Sequence, residues 1–548
     1  MGFANAKERI TVRPVDSDLV NKLKDALNVP AGIASILVGR NLSTFDLCKQ
    51  FFRPDSSQLH DPFLFRDMEK TVDRICQAIK DKEKIVVYGD YDVDGVTSTA
   101  IMVMVLRKLG ADCDFYLPNR LTDGYGLSDA GIRQIVAAGA KLMVTVDCGI
   151  TAFNEIALAR SLGLDCIVTD HHEPKESMPD ALAIVNPKVG GEPYPDKFLA
   201  GVGVAFKVCQ ALATKTGSGD ELWLSIIDYV ALGTAADIVP LVGENRIIAK
   251  LGFEQLSHSV HPGLIALIKQ QGLSGKRIST SQVVFQIAPC INAVGRLGDP
   301  RRGVELLLTN DMAIAENYAS ALRDANLERR TLDNSVADEA CLWVDSHCDS
   351  EKDYALVLGK EQWHVGVIGI VASKLVEKYH RPSILFSIGA DGVARGSGRS
   401  IPGLHLLNAL DACADILESY GGHAAAAGMS CKQENIDKFR EKFNETVRKM
   451  LSPEDLIPLV VADAEVTFLE LSPKFFRIIK EMEPFGPGNM RPVLFSKDLR
   501  HKYAPKVVGN KHVKMSLMRD GITMDAIGFN FGERLKELKA AECVAMAF

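Results

Sequence analysis

Between residues 85 and 185 short apolar runs alternate with helical patterns, and this rhythm limits the possible folds more than any other feature of the chain. Residues 85–88 read as a buried strand, followed by a glycine turn and an apolar helix over 96–109. Four more strands are expected at 115–117, 142–146, 166–169 and 181–185, with a helix over 152–162. Apolar strands of this length separated by helices predict an α/β domain whose parallel sheet is covered on both faces. Open parallel sheets bind ligands beyond the carboxyl ends of their strands, so chemistry is expected just after each strand.

A chain of 548 residues is too long for one core. Residues 1–70 read as a helical lead-in, 71–265 as the α/β domain, 266–345 as a helical connector, 346–452 as a second α/β domain and 455–548 as a strand-rich tail. The connector carries a helical pattern over 311–344 with no internal Gly or Pro. In the second α/β domain strands are expected at 354–358 and 383–387 around a helix at 367–378. In the tail VTFLEL, VLFSKDL, HVKMSLM and TMDAIGFNF read as strands of a small β-barrel, which the chain ends inside. The 12 cysteines stand singly, with no CxxC pair, which excludes a zinc ribbon and a disulfide framework. No apolar run reaches the roughly 18 residues that span a bilayer, and the N-terminus has no signal-peptide core, so a cytoplasmic protein off the membrane is expected. The net charge of −7 means that any nucleic-acid path must be local.

The segment VVYGDYDVDGVTSTA carries Asp90, Asp92 and Asp94 at a spacing of two. In an extended chain alternate residues face one side, and three carboxylates there repel one another unless cations neutralise them. An Asp-rich surface turn is the plain alternative, disfavoured by the apolar strand and helix flanking it. LMVTVDCGIT puts Asp147 after the next strand, where a lone Asp is more often a cap or Asx-turn than a ligand. CIVTDHHEP adds Asp170, His171 and His172, either exposed or converging, and ALGTAADIVPL sets Asp237 in an apolar stretch where a carboxylate needs a partner. Mixed Asp and His ligation suits Mn²⁺ or a similar first-row ion better than a site made only of oxygens. Convergence of these loops would make a cage for two ions about 3.5–4 Å apart, an arrangement suited to phosphodiester hydrolysis.

The DHH triplet at 170–172, with DYDVDG upstream, resembles the DHH phosphoesterase superfamily. PNRLTDGYGLS, VTVDCGIT, TDHHEP, LAGVGVAFK, VALGTAADIVPL, NAVGRLG, WHVGVIGIVASKL, RGSGRSI and GGHAAAAGM together resemble its RecJ family of bacterial single-strand-specific exonucleases, over about 70–535. The resemblance implies a DHH domain, a DHHA1 domain and an OB-fold, and a 5′→3′ exonuclease that degrades single-stranded DNA to mononucleotides in repair and recombination. It implies two divalent ions, Mn²⁺ by preference or Mg²⁺. Asp92, Asp94, Asp147, His171 and Asp237 are the implied metal ligands; Asp90 and His172 are ligands or their neighbours, and Asp170 orients an imidazole. In the DHHA1 domain Gly421, Gly422 and His423 of the GGH motif, with Ser397 and Arg399, are candidates for the substrate phosphate across an interlobe cleft, as is Arg296. A structural role remains open for His423, and a buried ion pair for Arg296. In the OB-fold Lys506, Lys511, Lys514 and Arg519 would supply charge, and Phe529 and Phe531 either stack on bases or fill the core. A monomer is expected, with a single-strand-binding protein and a helicase as partners. The rivals are an oligonucleotide or cyclic-dinucleotide phosphodiesterase of the superfamily and a catalytically silent DNA-binding scaffold.

Overall fold

The computed structural model describes residues 9–118 and 126–548, and most of PNRLTDGYGLS lies outside them. Two compact units result. One comprises Pro14–Asn326 with Val466–Pro492; the other comprises Leu327–Glu465, Val493–Phe548 and the N-terminal residues through Arg13. Among the described residues no helix is long and apolar enough to cross a membrane.

The first unit is built on a five-stranded parallel sheet in the spatial order Cys113–Tyr116, Lys84–Tyr88, Ala140–Val146, Asp165–Thr169, Ala183–Val185. Period-two alternation divides it between two apolar layers. Ile85 and Val87 join the larger cluster with Val72, Ile101 and Val204, while Val86 and Tyr88 join Ile132, Ile135 and Ile156 on the other face. The helix Val93–Lys108 is buried nearly all round. Its Thr97 and Thr99 hydroxyls donate to the Val93 and Gly95 carbonyls at 2.7 Å, so these inward hydroxyls are satisfied within the helix. Strand order reverses beside Lys84–Tyr88: the next strand in sequence lies on one side and Ala140–Val146 on the other. This is the topological switch point, where the two diverging crossovers leave a crevice.

The aspartate run is not extended as the alternation argument supposed. The chain turns after Lys84–Tyr88 and enters the helix at once, with Asp92 as N-cap and Asp94 in the first turn. The Asp92 carboxylate accepts from Gly95 N–H at 3.0 Å, and this local cap wins over continued strand. A Cβ on Gly95 would lie 2.7 Å from Asp90 Cα, so the turn closes only over a glycine.

VTFLEL is also not a strand. Residues 466–471 form a turn in which Glu470 accepts from Thr467 N–H at 3.1 Å, followed by the helix Pro473–Glu481 with Ser472 as N-cap and Pro473 in its first turn. This segment belongs to the first unit, where Glu470 also accepts from Gly32 N–H. The lead-in is not wholly helical: Arg9–Val12 pairs in parallel with Leu459–Ala462.

The second unit holds a mixed sheet ordered Ser419–Gly422, Ala426–Lys432, Val393–Arg399, Ser383–Ile388, Leu356–Lys360, in which only the last pair is parallel. Its second sheet is built round the 15-residue strand Leu494–Val508, which pairs with Ala464–Glu465, His512–Arg519 and Val544–Ala547; Ile522–Gly528 extends it. Its pairings close no ring among the described residues. The helix Met312–His347 runs 36 residues, with its last 21 in this unit.

Candidate metal centre

Each acidic loop leaves the carboxyl edge of the parallel sheet or a helix end beside it. Asp94 is 1% exposed and accepts two backbone N–H groups, Gly201 at 2.7 Å and Val202 at 2.8 Å. These are the first two residues of the helix Gly201–Thr216, so the helix N-terminus holds the carboxylate as it would hold any anion. Asp147 follows its strand in the left-handed region at φ 60°, with its N–H donating to Thr169 across the sheet. Asp237 is the C-cap of the buried helix Ile227–Ala236.

Asp170 has a different part. One carboxylate oxygen accepts from His171 N–H, His172 N–H and His172 Nδ1 at 2.7, 3.1 and 2.8 Å, and the other from Ile150 N–H at 2.9 Å. So many donors leave it to hold the two histidines in place. Burial is the largest influence and opposes its ionisation, but the bond and charge of His172 together with the Ile150 and His172 N–H groups outweigh it and lower its pKa. Burial likewise opposes protonation of His172, and Asp170 overcomes it, raising the imidazole to about 9.

His171 Nε2 lies 3.2 Å from Asp147 Oδ1, 3.6 Å from Asp237 Oδ2 and 3.8 Å from Asp94 Oδ2. Its ring is held by the Leu199 carbonyl, and burial lowers its pKa to about 3, so the imidazole is neutral. The bond to Leu199 occupies Nδ1–H, and the Nε2 lone pair therefore points at carboxylate oxygens. Neither His171 Nε2 nor Asp147 Oδ1 has a hydrogen-bond partner among the described residues, although both atoms are buried. Lone pairs facing one another in a dry pocket are unfavourable; a cation among them removes the conflict. The carboxylates report the same strain: burial first, then neighbouring charges, raise Asp94 to about 7, Asp237 to about 9 and Asp147 well above the ordinary range. The donor set fits a divalent metal. Its atoms fall into overlapping groups within 4.8 Å: Asp90, Asp92 and Asp147; Asp94, His171 and Asp237; Asp147, His171 and His172.

Arg296 stands on the helix Ala288–Leu297, which docks on the acidic turn. Asn292 accepts from Val93 N–H at 3.1 Å, and a Cβ on Gly295 would lie 2.8 Å from the Tyr91 carbonyl oxygen. The sequence reading missed Asn292, Gly295, Gly201 and Leu199, which touch the site through backbone groups or a neutral amide. The one available signal was the glycine spacing in LAGVGV and NAVGRLG.

In the second unit Ser397 and Arg399 share one face of the strand Val393–Arg399, and Arg399 Nη1 donates to Ser397 Oγ at 3.2 Å. A Cβ on Gly369 would lie 2.8 Å from Ser397 Oγ, so the helix Val365–Tyr379 backs these two residues. Gly421 and Gly422 end an edge strand, and His423 is exposed beyond it. Tyr503 and Phe529 are 66% and 68% exposed, so Phe529 does not fill a core.

Family models match in the order the sheets would suggest: the DHH family N-terminal domain over 84–234, the DHHA1 domain over 352–449 and the RecJ OB domain over 462–548. A parallel sheet with an acid and imidazole cage at its switch point thus defines an α/β protein of the DHH class. The single-stranded-DNA-specific exonuclease RecJ of Bacillus subtilis is 40% identical over 96% of the chain, which spans 66% of that relative's length. The RecJ exonuclease of Dickeya dadantii is 37% identical, with 86% of this chain and 85% of the relative covered. The crystal structure of RecJ from Thermus thermophilus in complex with Mn²⁺ superposes with a TM-score of 0.80 at 27% identity, covering 95% of this chain and 78% of that one. The chain belongs to the RecJ family.

Proposed function

We propose that this chain is a divalent-metal-dependent exonuclease that degrades single-stranded DNA from the 5′ end to mononucleotides, in DNA repair and recombination. The observation that carries the reading is the pair of buried atoms His171 Nε2 and Asp147 Oδ1, which lie 3.2 Å apart with no hydrogen-bond partner among the described residues. We assign two ions: one to Asp90, Asp92 and Asp147, the other to Asp94, His171 and Asp237, with Asp147 reaching both. The imidazole in the second set favours Mn²⁺ over Mg²⁺. Bound there, such ions supply Lewis acidity to a phosphodiester and make a water acidic enough to attack it at neutral pH. The protein does the rest. Asp170 fixes His172 as an imidazolium that offers Nε2–H to a phosphate oxygen or a leaving group. Arg296, Ser397 and Arg399, with His423 beside Gly421 and Gly422, are assigned to phosphate oxygens, which carry no sequence information, so base preference should be weak. We further assign the protein to the cytoplasm as a monomer, with a single-strand-binding protein and a helicase as working partners.

The test is digestion of end-labelled single strands with Mn²⁺ and with chelator, alongside a duplex and a dinucleotide. Stepwise loss from the 5′ end of the single strand, abolished by chelation, is expected. Hydrolysis of the dinucleotide alone would replace the proposal with an oligonucleotide phosphodiesterase.

A further inference from the structure

Beside the metal centre the first unit holds a cavity of about 900 Å³ whose lining includes Ala235 and Ile238, on either side of the candidate ligand Asp237. Its wall is unusual for an acidic chain: Lys250, Lys276, Arg277 and Arg491 face it against only Glu254 and Glu483. Arg277 and Arg491 have no carboxylate partner among the described residues. Apolar rings share the wall with these charges. Phe285 is 68% exposed on the π-helical turn Val283–Ile287, and the Arg491 guanidinium lies 5.4 Å from the Phe485 ring centroid.

One wall of the cavity is a loop held rigid from behind. Arg246 donates to the Met482 carbonyl at 3.0 Å, and Asn489 to the Met482 and Pro484 carbonyls at 3.0 and 2.8 Å. Leu241 N–H donates to the Pro487 carbonyl at 2.7 Å. The loop therefore presents Phe485 and Arg491 in a fixed pose, with little ordering left to occur when a ligand arrives. Cations beside aromatic rings suit a single strand, which offers one phosphate and one base per nucleotide, and stacking accepts any base.

We propose that this cavity is a nucleotide subsite: it stacks a base of the single strand on Phe285 or Phe485 and pairs the neighbouring phosphates with Arg277 and Arg491. The assignment rests on the exonuclease reading and adds to it a grip on the strand outside the metal centre. Long strands gain from that grip, whereas a dinucleotide held at the metals does not.

The test uses the full chain with Phe285→Leu, Arg277→Glu and the pair together, with Phe285→Tyr as the variant that keeps the ring. Affinity for a labelled oligothymidylate of about 20 nucleotides and Mn²⁺-dependent cleavage of that strand and of a dinucleotide are measured side by side. The pair should weaken binding of the long strand about 10-fold or more and raise its KM, with kcat and dinucleotide cleavage unchanged and Phe285→Tyr near wild type. Arg277→Glu should also flatten the salt dependence of binding. Wild-type cleavage with identical long-strand binding in every variant would overturn the subsite and leave the cavity to an apolar peptide. Failure of the wild type to shorten any strand would overturn the nuclease reading and this one with it.

Discussion

Replacing Gly201 with Ala probes how tightly the metal centre is packed. Gly201 opens the helix whose N–H groups hold Asp94, and a Cβ built on it would lie 2.7 Å from both Cβ and Cγ of Asp147 and closer still to Oδ1. Ordinary contact begins near 3.4 Å, so Asp147 or the helix must shift by most of an ångström. Asp147 cannot yield easily, because its left-handed backbone is pinned to Thr169. Overpacking of this kind costs about 1–3 kcal/mol of stability. The larger effect falls on the cage, since a displacement of about 1 Å in a reacting constellation typically costs on the order of 100-fold in rate. Gly203, two residues along the same helix, is the control: a Cβ there meets only the Leu199 side chain, at 3.2 Å. Mn²⁺ titration calorimetry and single-strand digestion should show Gly201→Ala losing most metal affinity and activity while it still folds, with Gly203→Ala close to wild type. Equal behaviour of the two variants would refute the packing argument.

Asp170→Asn removes the charge behind His172; activity or metal affinity should fall about 10–100-fold, and the His172 titration followed by NMR should move below about 9. In the metal-free protein Asp94 and Asp237 are raised to about 7 and 9, so the folded state holds protons that the unfolded state, with carboxyls at 3.8, has released. Their contribution to stability is therefore complete below about pH 4 and is lost as pH rises through 7 and 9. Thermal melts of chelated protein should fall across that window, and Mn²⁺ should bind more tightly as pH rises, releasing protons detectable by calorimetry in two buffers. Lys207, fully buried, donates to the His60 carbonyl and pairs with Glu244. Lys207→Met should cost about 3–5 kcal/mol by denaturant unfolding, because Glu244 is left charged and dry, and adding Glu244→Gln should recover part of it.

The α/β core was legible because the three central strands of the sheet bury both faces, leaving compact apolar runs at 85–88, 142–146 and 166–169 with chemistry directly behind them. The helix ends carrying Asp94 and Asp237 were harder to read. Spacing alone cannot tell a pleated strand from an N-cap turn, and the Asp90–Asp94 run was read as extended for that reason. VTFLEL failed differently: its residues have strand propensity, but Glu470 and Ser472 supply turn and cap contacts that outweigh it. The pairing of Arg9–Val12 with Leu459–Ala462 joins residues far apart in sequence, and no local pattern reports it. The glycines that let Gly201 and Gly295 approach Asp147 and Tyr91 were visible only as motif letters, because their function lies in an absent side chain.

The central claim is that His171 and the surrounding carboxylates share cations. A crystal of the protein soaked in Mn²⁺ and measured at the manganese absorption edge tests it directly. The expected result is two anomalous peaks, one touching His171 Nε2, Asp94 and Asp237, the other touching Asp90, Asp92 and Asp147. Anomalous density elsewhere, with these side chains still facing one another bare, would contradict it.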